Sequence, residues 1–376
     1  MAKEAPSTLG SVLVVGGCGF VGGHIVRRLL ERNDGTEIAV MGRNVDRNRQ
    51  PGVSYVTGDI TSDASVREVL EKVNPRVVFN TACPISFPTS GGPDFHHKIN
   101  VEGTTNLVRN AAMNSHTAAF VYTSSASLVA KPEYTNATEQ DPILTVDPNG
   151  YKYYNTTKAI ADNVTRRAKN TLPANKGGLR TATIRPGSIF GEGDNQLLPS
   201  ILKQLDDGLT KFQLGSNDKK YDFVYVGNVA DAQILAAEAL IKESEAGKVA
   251  YAKGQVGGES YIVTNDDPRP FYEFMKQCWA HAGYDLKKHN PWVVPTWAAL
   301  ALGSCSEWFV WFATLGQKKA QQLSRESVEY LCLNRTYDMS KAKETLGYRP
   351  RVSVDEGIRR GVASILERKA TSKKDK

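Results

Sequence analysis

The stretch SVLVVGGCGFVGGHIVRRLLER, residues 11–32, decides the fold. It opens on a β-branched run, ends on a segment of helical periodicity, and carries between them glycines spaced GxxGxxG. Strand, glycine turn and helix in that order predict a phosphate-binding βα unit. Gly16 makes the tight turn, Gly19 lets a pyrophosphate approach the backbone, and Gly22 lets helix and strand pack closely. The helix start, Phe20 and Val21, adds amide N–H groups and the positive end of the helix dipole.

Outward from this unit the pattern repeats. EIAVM (37–41), VSYVTGDI (53–60), RVVFNTACP (76–84), AAFVYTSSASLV (118–129) and TATIRP (181–186) read as strands. SVREVLEKV (65–73) and INVEGTTNLVRNAAM (99–113) read as helices between them. The alternation predicts an α/β fold, a Rossmann-type doubly wound parallel sheet, with ligands at the strand C-terminal ends. Those ends carry Asp59 and Ile60, of which Asp59 suits an adenine amino group. They also carry Thr81 and Ala82 along the cofactor, and Pro186 and Ser188 near its nicotinamide end. After the second strand, where a carboxylate usually takes the ribose hydroxyls, stand Gly42 and Arg43. A missing carboxylate and a nearby guanidinium suit the 2′-phosphate of NADP(H), which is the favoured cofactor, with NAD the alternative.

Tyr154 and Lys158 lie four residues apart, one turn apart on a single helix face. An ammonium there lowers a phenol from its ordinary pKa of about 10 and favours proton transfer. Tyr272/Lys276, Tyr284/Lys288 and Tyr337/Lys341 share the spacing, so position has to choose. Only Tyr154 follows a serine-ended strand, across the acidic loop EQDPILTVDPNG. The expected catalytic set is therefore Tyr154, Lys158 and Ser125, with Ser124 the second serine and both Tyr154 and Lys158 also touching the cofactor. Asn100 is read either as a water or proton relay or as helix packing.

The charge balance is +7, with a good part of it in the final ERKATSKKDK, which reads as a basic tail from 366 to 376. No aromatic–basic interleaving or zinc spacing is present, so neither nucleic acid nor a metal is expected. The five cysteines are scattered, without CxxC, as in a reducing compartment. MAKEAPSTLGS does not read as a signal peptide. Asn155, one of four N-x-Thr sequons, sits inside the proposed catalytic helix, which argues for a cytosol-facing protein.

VGGCGFVG, GDI, NVEGT, YTSSA, YNTTKA, IRPGSIFGEGD and FVYVGNVADA together resemble the extended short-chain dehydrogenases/reductases nearly end to end. YVGNVADAQILAAEAL, YIVTNDDPRPFYEF and RTYDMSKAKETLGYRPRVSVDEGI resemble their 3β-hydroxysteroid dehydrogenase branch. YNTTKAIAD, RPGSIFGEGDNQLLP and KFQLGSND are most similar to its members acting on sterol 4α-carboxylates. The resemblance implies oxidation of a 3β-hydroxyl on a sterol- or steroid-like lipophilic substrate, NAD as the usual cofactor, and a homodimer. A terpenoid or steroid reductase using NADPH is the alternative, with a catalytically silent sensor of the same fold a more distant one.

The expected organisation is a dinucleotide domain over 8–194 and 221–251, with a substrate lobe over 195–220 and 252–365. Within the lobe, PWVVPTWAALALGSCSEWFVWFATLG (291–316) holds four of the five tryptophans and one charge, Glu307. Its length allows a span, but Pro295, Gly303-Ser304 and Glu307 favour a broken, interfacial helix pair contacting a membrane surface. A dilysine-like ending, Lys373-Lys374-Asp375-Lys376, adds a weak pointer to the cytosolic face of the endoplasmic reticulum, with the cytoplasm as the alternative.

Overall fold

The computed structural model describes residues 8–84, 92–131, 133–146, 153–168, 178–246, 254–314 and 325–374. The first βα unit folds as its sequence dictates: β1 (Ser11–Val15), then a turn at Gly16, then α1 (Phe20–Arg32). Alternation continues through β2 (Glu37–Gly42), β3 (Ser54–Thr57), α2 (Asp63–Val73) and β4 (Val77–Asn80). Next come α3 (Thr104–Met113), β5 (Ala119–Thr123), α4 (Tyr153–Arg166) and β6 (Arg180–Pro186). The unit closes with α5 (Val226–Glu245) and β7 (Glu259–Val263).

These strands form one seven-stranded parallel sheet in the order β7-β6-β5-β4-β1-β2-β3. The order reverses between β1 and β4, which is where such sheets open a ligand crevice. Period-two alternation divides the core between the two faces. Val12 and Val14 pack with Ile25 and Leu29 of α1 and Ala236 and Leu240 of α5. Leu13 and Val15 pack with Leu70, Leu107 and Ala161 on the opposite face. The expected doubly wound α/β fold is the one observed.

Three details differ from the sequence reading. Glu259–Val263, placed in the substrate lobe, is the outermost strand of the main sheet, paired with β6 in parallel. Phe223–Tyr225 does not join that sheet; it pairs with Ser188–Phe190 in a separate ribbon, and α5 carries the chain back. The basic end is helical through Lys374, held by Lys369 to Asp206 at 2.9 Å and by Arg368 to the Asp194 carbonyl at 3.2 Å.

A second core gathers Phe190, Tyr221, Phe223, Phe274 and Trp279 with Ile358 and Val362 of the last helix, and Phe223 stacks on Phe274 at 3.9 Å. Beside it, the tryptophan-rich segment forms a short strand, Trp292–Val294, and a single unbroken helix, Thr296–Ala313. The expected break is absent: Gly303 is buried where the helix packs, and the Ser304 hydroxyl donates to the Leu300 carbonyl instead of opening the turn. Ala299 packs with Val328 and Cys332, while Glu307 accepts the Arg325 amide. Among the described residues no helix is long and apolar enough to cross a membrane.

Candidate active site

At the crevice, Gly16 has φ +80°, a conformation that disfavours any side chain. A Cβ there would lie 2.9 Å from Thr81 Oγ1 and 3.1 Å from the Ala82 amide nitrogen. A Cβ on Gly22 would lie 2.5 Å from the Gly16 carbonyl oxygen, so helix and turn touch only because both residues are glycine. Thr81 donates to the Val15 carbonyl at 2.8 Å and fixes the β4 end against β1. α1 starts from Gly19 with no side-chain cap and no acidic residue in its first turn. Its first amides are therefore available to an anion, and Phe20 and Val21 stand half-buried beside them. This cradle fits a dinucleotide pyrophosphate.

At the far end of β2, Arg43 is exposed, with no hydrogen bond or ion pair among the described residues. Asp59 uses one carboxylate oxygen to cap Thr61, accepting from its amide and its hydroxyl at 2.9 Å each. Ile60 is buried, and a Cβ on Gly103 would strike it at 2.6 Å. On the other side of the crevice Pro186 ends β6, and Ser188 donates its amide to the Asp222 carbonyl at 3.1 Å. All the sequence-predicted cofactor residues thus lie along the C-terminal edge of the sheet.

Between them sit the three catalytic candidates. Lys158 is 2% exposed; its Nζ donates to the Thr123 carbonyl at 2.7 Å and stands 4.7 Å over the Tyr122 ring. The Ser125 hydroxyl is near enough to Tyr154 to favour its phenolate. Ser125 also exchanges a hydrogen bond with Ser127 at 2.7 Å, and Ser127 donates to Asn155 Oδ1 at 3.0 Å. Ser124 is buried and lies near Asp162, and it is not among the groups that act on the phenol. Asn100 lies in a π-helical turn, His97–Gly103, buried, and donates to Thr157 at 3.0 Å.

The expected lowering of the tyrosine pKa does not result from Lys158 alone. Tyr154 as a residue is half-buried, yet protein surrounds its phenol densely enough that burial pushes it well above its ordinary value. Cys83 and Tyr122 add to the rise, while Lys158 and the Ser125 hydrogen bond oppose it. Burial thus favours the neutral phenol.

The rival tyrosine–lysine pairs are spoken for elsewhere. Tyr272 bonds His289 at 3.0 Å while Lys276 pairs with Glu273 at 2.6 Å. Tyr337 meets Tyr134 at 2.7 Å while Lys341 pairs with Glu259, and Tyr284 bonds His289 at 3.2 Å. Sequence reading missed Asp162, whose carboxylate takes a two-pronged contact from Arg185 at 2.7 and 3.0 Å. An acid one turn after Lys158, on the buried side of an amphipathic helix, was the available signal. It also missed His96, which is buried with its ring 6.2 Å from that of Tyr154.

Sheet order, glycine cradle and a serine–tyrosine–lysine cluster at the strand ends define the class as an extended short-chain dehydrogenase/reductase fold. Among solved structures, the UDP-glucose 4-epimerase of Thermotoga maritima matches with TM-score 0.69 and 18% identity, over 95% of this chain and 99% of its own. The chain belongs to the 3-beta hydroxysteroid dehydrogenase/isomerase family, whose pattern matches residues 13–295. It is 35% identical to sterol-4-alpha-carboxylate 3-dehydrogenase erg26, decarboxylating, of Schizosaccharomyces pombe, over 94% of this chain and 97% of that protein. The Mus musculus sterol-4-alpha-carboxylate 3-dehydrogenase, decarboxylating, is 30% identical over 94% and 90%.

Proposed function

We propose that the protein oxidises the 3β-hydroxyl of a 4-carboxysterol, with a nicotinamide dinucleotide seated over the glycine cradle. One observation supports the chemistry: Lys158 is buried on the Thr123 carbonyl where β5 ends beside α4, and it and Ser125 are the two groups that favour the Tyr154 phenolate. The full-length likeness to decarboxylating sterol dehydrogenases supports the substrate class. Ser125 holds the alcohol oxygen, Tyr154 takes its proton, and Lys158 stabilises the phenolate that results. A bound oxidised nicotinamide would supply the hydride acceptor and a second positive charge favouring that phenolate. The 3-keto-4-carboxylate so formed is a β-keto acid. Its bond to the carboxylate breaks, carbon dioxide leaves, and the electron pair passes into an enol that is protonated at C4, so no further side chain is required.

Gly42 and the unpaired Arg43 support NADP(H) over NAD, and they also favour a second reading: NADPH-driven reduction of another steroid or terpenoid ketone. Assaying a 4-carboxysterol, a simple 3β-hydroxysteroid and its ketone with both cofactors separates the two. In either case Tyr154→Phe abolishes turnover while dinucleotide affinity survives; substantial residual activity would remove Tyr154 from the mechanism.

We further infer peripheral attachment to the cytosolic face of the endoplasmic reticulum membrane. Trp292, Trp297 and Phe309 are 77%, 75% and 74% exposed, and Trp308, Trp311 and Phe312 extend the same apolar surface. Aromatic residues of this kind suit the headgroup level, and such a surface would admit a lipophilic substrate without passage through water. The homodimer implied by the resemblance is open to light scattering.

A further inference from the structure

Helix α4 carries Tyr154, Lys158 and Asp162 on successive turns of one face. Lys158 and Asp162 are 2% and 0% exposed. Opposite charges one turn apart attract, and more strongly away from water. They nevertheless do not pair. Both Asp162 oxygens are taken by Arg185, Nε on Oδ2 at 3.0 Å and Nη2 on Oδ1 at 2.7 Å, while Lys158 donates to the neutral Thr123 carbonyl.

We propose that Arg185 is a positioning residue that holds the Asp162 carboxylate off Lys158, so that the ammonium keeps its charge for the Tyr154 phenol. The inference rests on the tyrosine mechanism proposed above. A buried ion pair is a poor device for stability, since well-packed apolar residues often do as well. Its place beside a buried lysine has a better account in the distribution of charge. The fork of a guanidinium takes one lone pair on each carboxylate oxygen in fixed geometry and so turns the carboxylate toward β6 rather than along the helix at Lys158.

The other groups around this cluster do not offer the same interference. Tyr154 faces Cys83 from the end of β4, Tyr122 on β5, Ser125, and His96 from the short helix Gly92–His96. Asp162 faces Arg185 on β6, Ser124, and Arg166 from its own helix. Arg185 is faced in addition by the Glu139 carboxylate, but of the groups that face Tyr154 or lie on its helix face Asp162 alone carries a carboxylate. Burial would raise it, yet Arg185 outweighs that and holds it below the usual range, so it is a full negative charge when the enzyme works.

The test is the pH profile of kcat for alcohol oxidation at saturating cofactor, in the full chain and four variants. Arg185→Met frees Asp162 to pair with Lys158, and the rising limb moves to higher pH by about one unit, the scale set by one opposite charge at close range. The double variant Asp162→Asn/Arg185→Met removes the competitor and brings the limb back near its original place. Arg185→Lys retains a cation and leaves the limb nearly unmoved. Should Arg185→Met not fold, Asp162→Asn and Arg185→Lys still decide: neither moves the limb upward. An unmoved limb in folded Arg185→Met, no return in the double variant, or an upward shift in Asp162→Asn overturns the proposal. If Tyr154→Phe retains turnover, the parent mechanism fails instead.

Discussion

Adjacent glycines in α1 should respond in opposite directions to the same added methyl group. A Cβ on Gly22 would lie 2.5 Å from the Gly16 carbonyl oxygen and 2.7 Å from Thr81 Oγ1. Ordinary contact needs about 3.5 Å, so the turn, or the β4 end with it, must retreat by about 1 Å. The Thr81 hydroxyl cannot yield freely, because it donates to the Val15 carbonyl at 2.8 Å. Overpacking of this kind costs about 1–3 kcal/mol, and the displaced backbone is the one that receives the pyrophosphate. Gly22→Ala is therefore expected to weaken dinucleotide binding about tenfold to a hundredfold and to lower the thermal midpoint. A Cβ on Gly23 meets nothing closer than the Gly17 carbonyl oxygen at 3.5 Å, an ordinary contact. Gly23→Ala should gain about 0.5–1 kcal/mol from helix propensity and leave affinity unchanged. Calorimetric titration with NADH and NADPH, alongside thermal unfolding, reads both quantities. Equal behaviour of the two variants, or full affinity in Gly22→Ala, would refute the account of the cradle.

Other outcomes follow from the same structure. A Cβ on Gly42 meets only Val45 and the Asn44 carbonyl at 3.6 and 3.7 Å, so Gly42→Asp fits and should move cofactor preference toward NADH. Arg43→Ala should weaken NADPH about tenfold and spare NADH, measured by direct binding. Asp222 is 3% exposed, and burial, with Asp266 and Asp267 nearby, pushes its carboxyl up to about 6 from an ordinary value near 4. A raised folded-state value means the contribution is full below the unfolded pKa and is lost as pH rises through 6. Asp222→Asn should therefore flatten the loss of stability between pH 4 and 6 and, in denaturant melts at neutral pH, recover on the order of 2–3 kcal/mol. Replacing exposed Trp297, Trp308 and Phe309 with serine should abolish sedimentation with vesicles of phosphatidylcholine and phosphatidylserine while leaving dinucleotide affinity intact.

The sequence by itself determined what is local. A β-branched run, a glycine turn and a 3.6-residue period dictate β1, the cradle and α1, because backbone sterics and side-chain alternation act over a few residues. Repetition of that unit dictated the sheet, and the serine-ended β5 singled out Tyr154 among equally spaced rivals. Tertiary structure decided what depends on distant neighbours. β7 is a sheet strand because α5 delivers it beside β6, a pairing that the five residues ESYIV cannot announce. The Asp162–Arg185 fork joins an α4 residue to a β6 residue on the sheet face the helix covers, so neither position reveals it alone. The Tyr154 phenol is raised rather than lowered because burial, a property of the whole packed crevice, outweighs the one lysine visible at helical spacing.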